Sequence, residues 1–132
     1  MEYSKDELAI YRLEKAKEDF SSAKELFEKN HFAKSINRYY YTVFNAARAV
    51  LAFDGYDAKK HSGVIHFFNV NYVGTNKIYE KFGKILTTAF NVRIRSDYHD
   101  FYVASKDDAK LQLENAEQFL LMIESYLKKI LE

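Results

Sequence analysis

No proline interrupts this chain, and only four glycines punctuate its 132 residues. Proline removes a backbone donor and clashes with the preceding turn, and a glycine inside a helix costs about 1 kcal/mol relative to alanine. A chain that avoids both is free to run long helices, and the apolar residues recur at helical spacing almost throughout. Leu13, Ala16, Phe20, Ala23 and Phe27 alternate steps of three and four, one stripe of an α-helix. Ser4-Lys5-Asp6-Glu7 ahead of that stripe has the form of a capping box, and Asn30-His31 reads as its stop.

The same reading carries down the chain. A second helix is expected from Phe32 to Phe53, with Ile36, Tyr40, Val43, Phe44, Ala47 and Leu51 facing inward and Asp54-Gly55 as its end. Ser62 reads as the N-cap of a shorter helix reaching about Tyr72, and Gly74-Thr75-Asn76 breaks it. A fourth helix is expected from about Lys77 through Ile78, Phe82, Ile85, Leu86, Ala89 and Phe90. Ser105 then caps the last one, whose stripe is Ala109, Leu113, Ala116, Leu120, Ile123, Leu127 and Ile130. No strand pattern, repeat or internal boundary is visible. The expected fold is all-α, one domain over residues 1–132, an antiparallel bundle of four long helices plus one short helix.

Composition narrows the function classes. There is no cysteine, so disulfides and thiolate metal sites are excluded. No apolar run approaches the roughly 18–20 residues that span a bilayer, and the first residues lack the layout of a signal peptide. A cytoplasmic protein without membrane contact is expected. The net charge of +1 hides an uneven spread. Residues 31–95 carry 10 basic and 3 acidic side chains, between two acidic ends. Such a middle suits a cationic cleft for nucleotide or RNA, or equally the pairing of complementary helices. Eleven Tyr and eleven Phe exceed what one small core usually takes, which points to an interface or a pocket.

Polar residues crowd the segment Asn91-Val92-Arg93-Ile94-Arg95-Ser96-Asp97-Tyr98-His99-Asp100-Phe101-Tyr102. Arg binds phosphate as a fixed fork of donors, and His moves protons near neutral pH. On a straight helix, however, Arg93 and His99 lie about 120° apart, so a joint site needs a break or a second chain. The natural neighbours four residues apart are Arg93 with Asp97 and Arg95 with His99. Arg38, Arg48 and Arg95 are further candidates for a phosphate or RNA contact. Of Tyr39, Tyr40 and Tyr41, Tyr40 is expected in the core with one neighbour outside it. Asn45 is expected to hydrogen-bond another helix. His61 and His66 are five apart, a poor spacing for a metal, and no metal or cofactor is expected.

These residues together resemble the HEPN domain family, small helical proteins of bacteria and archaea. The resemblance lies in the first stripe, in the stretch from Ala33 through Arg48, in His61-Ser62-Gly63-Val64-Ile65, and in Arg93, Ser96-Asp97-Tyr98 and Asp100-Phe101-Tyr102. It implies a HEPN-like bundle and a homodimer. The local motif is similar to the subgroup reading Arg, three residues, Asp-Tyr, as Arg93, Asp97 and Tyr98 do. For that subgroup the resemblance implies a nucleotide- or RNA-binding partner of a minimal nucleotidyltransferase in a two-gene, toxin–antitoxin-like system. The alternative it implies is a metal-independent endoribonuclease toxin in which Arg93 steadies the phosphate and His99 moves protons. A nucleotidyltransferase partner would then silence it by modifying Tyr98 or Tyr102.

Overall fold

The computed structural model describes residues 3–98 and 102–131, all-α with no strand among the described residues. The elements are α1 (Lys5–Glu28), α2 (Phe32–Phe53), α3 (His61–Phe68), a π-helical turn (Asn69–Val73), α4 (Glu80–Tyr98) and α5 (Lys106–Leu131). Four helices are long and one is short, as the periodicity implies. The serine caps of α1 and α5 are in place. Ser4 Oγ accepts from the amide of Glu7, and Ser105 Oγ from that of Asp108, each at 3.0 Å. Asn30 at φ 65° turns the chain out of α1, and Gly55 at φ 73° does so after α2.

α2 is the centre of the bundle and packs on all four of the other helices. Its contacts with α1 run backwards along one helix as they run forwards along the other. Phe27 meets Phe32, Phe20 meets Tyr39, and Arg12 reaches the carbonyl of Arg48. The two helices are therefore antiparallel. α1 buries small residues on this seam, Ala9, Ala16 and Ala23, and so approaches closely. α5 closes the far side, where Phe119 packs on Phe68 and Phe82.

The short middle region departs from expectation in two places. Ser62 is not the cap of α3; Lys60 is, in an extended conformation, its carbonyl accepting from the amides of Gly63 and Val64. α3 thus starts two residues early, with His61 in its first turn. α4 begins at Glu80, not near Lys77, because the amides of Lys77 and Ile78 both turn back to the carbonyl of Tyr72. The regular part of α3 ends at Phe68, and the π-helical turn carries the chain to Val73. At Gly83 a Cβ would run into Asn69 Oδ1, so glycine is what lets α4 lie against that turn.

Candidate functional site around Arg93

Arg93 faces inward from α4. Its Nε donates to Asp97 Oδ2 at 3.0 Å, the expected pair one turn apart. Its guanidinium carbon lies 5.3 Å from the Tyr40 ring centre and 5.5 Å from that of Tyr41. The planar cation is therefore held between a carboxylate and an aromatic wall, with its side chain 19% exposed. Of the three consecutive tyrosines, Tyr39 and Tyr40 are buried and Tyr41 is half-buried. Helical geometry turns Tyr39 toward Phe20 of α1, and Tyr40 and Tyr41 toward α4.

The wall continues along α2 to Phe44 and is capped by His61. The imidazole stacks on Phe44 with ring centres 4.1 Å apart and meets Tyr41 edge-on. Its Nδ1 is 2.7 Å from the hydroxyl of Tyr40. Burial pushes the His61 pKa below the ordinary imidazole value, and the positive charges of Arg93 and Arg48 push it the same way. Burial drives the Tyr40 hydroxyl well above the usual tyrosine range, against the pull of Arg93, so it stays neutral.

The other basic candidates flank this wall. Arg38 lies 4.7 Å above the Tyr41 ring and pairs with Asp19 at 3.2 Å. Arg48 lies 5.6 Å from the Phe44 ring and shares the single carboxylate of Asp57 with Arg12. Arg12 is pulled down in pKa by burial and then by Arg48. Arg93 and Arg38 each have a carboxylate, whereas Arg12 and Arg48 divide one. The wall thus carries an excess of positive charge beside His61, which favours an anion. Asn45, as expected, bonds another helix, its amide donating to Asp19 at 2.7 Å.

A groove of about 410 Å³ adjoins the site on the far side of Asp97, lined by Lys34, Asn37, Arg38, Ser96 and Asp97 among others. Tyr98 projects into solvent at 72% exposure. Tyr102 is half-buried, and its pKa is raised by burial and by Asp108 against the opposing charge of Arg95. His99, and with it the Arg95–His99 pair, lies outside the described residues. The residue that sequence spacing missed is His61. Its spacing along the chain relates it only to His66, which is exposed, and the stretch His61-Ser62-Gly63-Val64-Ile65 enters the family resemblance without a contact to Arg93.

An all-α bundle that gathers an Arg–Asp pair and a tyrosine wall between its second and fourth helices defines a class of small helical modules. The chain belongs to the HEPN domain family, whose model matches residues 9–126. A protein of Methanocaldococcus jannaschii named "Putative toxin" is 35% identical over 90% of this chain and 88% of its own length. A Thermotoga maritima protein, named only as belonging to UPF0332, is 30% identical over 96% of both. An Archaeoglobus fulgidus protein of the same designation is 32% identical over 94% of this chain and 98% of its own.

Proposed function

We propose that this HEPN-domain protein binds the phosphates of a nucleotide or RNA at Arg93, as the homodimeric helical member of a two-gene, toxin–antitoxin-like system. Its partner in this reading is a minimal nucleotidyltransferase. The observation that carries the proposal is the wall itself. Arg93 is oriented through Nε, which leaves its outer nitrogens for an anion, and Arg38 over Tyr41 and Arg48 over Phe44 flank it on the same wall. The toxin name of the M. jannaschii relative supports the two-gene setting. Tyr98 and Val103, both largely exposed next to the motif, support an interface there between two copies.

The test is binding of a single-stranded oligonucleotide at several salt concentrations, with light scattering for oligomeric state. Arg93→Ala should weaken binding and flatten the dependence of log K on log salt by about 0.7–1, the loss of one phosphate contact. Arg93→Ala binding as tightly as wild type, with the same slope, would remove the proposal. A second reading, a metal-independent endoribonuclease toxin, is favoured by one observation: an imidazole shares the wall with Arg93.

A further inference from the structure

The π-helical turn Asn69–Val73 borders a second polar recess, on a flank of α4 that does not face Arg93. Thr87, on that flank, lies six residues before Arg93, so the two point about 120° apart round the helix. Two adjoining cavities meet here, of about 590 and 310 Å³, and Asn69, Val73 and Glu80 line both. The larger is within the size range of small-ligand pockets, roughly 300–1,000 Å³. Tyr79 lines it and is 81% exposed. We propose that this recess is a nucleotide site separate from Arg93, in which the Tyr79 ring stacks on the base and the lysines at the start of α4 take the phosphate. The inference goes beyond the phosphate-binding reading above and does not depend on it.

The recess is built by specific backbone and side-chain contacts. The amide of Gly74 closes the turn on the carbonyl of Asn69 at 2.7 Å, and π-helical turns are rare and frequent at functional sites. Asn69 is fixed within it, its side-chain amide donating to the Ile65 carbonyl at 3.1 Å and to Thr87 Oγ1 at 3.4 Å. That leaves its Oδ1 as an acceptor beside Gly83, on the wall of the smaller cavity. Asn76, in the left-handed conformation at φ 62°, brings a second amide to the larger one. Amide groups suit the edge of a base, and the hydroxyls of Thr87 and Thr88 suit a ribose.

Ring and charge complete the match. Every base has a flat face, so an exposed tyrosine serves as a stacking platform. Residues 77–84 carry three lysines against the single carboxylate of Glu80. Lys77 Nζ lies 5.8 Å from the Tyr72 ring centre and Lys81 Nζ 5.0 Å from that of Phe82, on rings and not on carboxylates. Lys84 pairs with Glu80 at 3.4 Å, but with side chains 75% and 77% exposed that pair is screened by water and yields to a phosphate. A free mononucleotide and one nucleotide of an RNA strand present the same ring and phosphate to this site.

The experiment titrates the full chain with AMP, adenosine, inorganic phosphate and pentaadenylate by calorimetry, with light scattering alongside. Tyr79→Ala should weaken nucleotide binding about 10-fold or more, and Tyr79→Phe should keep it. Lys81→Ala combined with Lys84→Ala should bring AMP down to the affinity of adenosine. Glu80→Gln should tighten AMP and leave adenosine unchanged. These side chains are all exposed, and circular dichroism of each variant checks that the bundle is intact. A Tyr79 effect on AMP identifies a free nucleotide as the occupant, and one seen only with pentaadenylate identifies a strand; either supports the site. Arg93→Ala should leave the Tyr79 effect in place. If Arg93→Ala binds pentaadenylate as wild type does while Tyr79→Ala does not, the earlier reading is removed and this one stands. Equal affinity of wild type and Tyr79→Ala for both AMP and pentaadenylate would overturn the site, as would a wild type that binds neither. So would a Tyr79→Ala chain that changes only in oligomeric state, which would make the ring a contact between proteins.

Discussion

Asp19 should be the most consequential surface-adjacent carboxylate in the bundle, because two residues of α2 depend on it. Its Oδ2 accepts from Asn45 at 2.7 Å and its Oδ1 from Arg38 at 3.2 Å. Asn45 is only 5% exposed, so Asp19→Ala leaves a buried amide without its charged acceptor, a loss of about 1.5–3 kcal/mol. The Arg38 guanidinium is partly in solvent, and its share is about 0–1 kcal/mol. The expected destabilisation is about 2–4 kcal/mol, which for a domain of this size lowers the melting midpoint by roughly 10 °C. Asp19→Asn keeps a neutral acceptor and should cost about half as much. Urea unfolding followed by circular dichroism measures both, and a double-mutant cycle with Asn45→Ala should be strongly non-additive. If Asp19→Ala unfolds within about 0.5 kcal/mol of wild type, the level of an ordinary surface substitution, the α1–α2 polar seam carries no stability and the reasoning fails.

Gly83→Ala sets a helix-propensity gain of about 1 kcal/mol against a clash with Asn69, whose amide is tied to Ile65 and Thr87. The clash should win by about 1–2 kcal/mol in urea unfolding, and Asn69→Ala in the same chain should remove the penalty. Ser105→Ala takes the cap from α5 and should cost about 1 kcal/mol by the same measurement. His61 is held below its unfolded value of 6.5, facing Arg93 from α4 and Arg48, Tyr40 and Tyr41 from α2. Between the two pKa values the unfolded chain binds more protons, so this contribution is complete above about pH 6.5 and is lost as pH falls below it. His61→Gln should flatten the stability curve in that window, and a curve identical to wild type would contradict the assignment.

The helices were legible because their signals are local. Serine caps, stripes and the Asp54-Gly55 stop each act within a turn or two, and α2 falls where its pattern places it. The errors cluster between residues 60 and 80, where tertiary demands override local preference. Ser62 has the right chemistry for a cap, but the Tyr40 hydroxyl fixes His61 inside the first turn of α3. Lys77 has a helical neighbourhood, but its amide closes the π-helical turn through Tyr72.

The site divides along the same line. Arg93 with Asp97 is a pair one helical turn apart, and spacing alone finds it. His61 meets Arg93 only because α2 presents Tyr40, Tyr41 and Phe44 as one continuous surface to both α3 and α4, and no periodicity encodes a meeting of that kind. Three aromatic rings in place of aliphatic side chains are what make the surface useful. An aliphatic wall would fill the same space, but it would neither attract a guanidinium nor orient an imidazole through a hydroxyl. The surplus of rings in so small a chain is therefore tied to charge at this site as well as to core volume. Tyr40→Leu would separate the two roles: the core survives the loss of a ring more easily than Arg93 and His61 survive the loss of the surface they share.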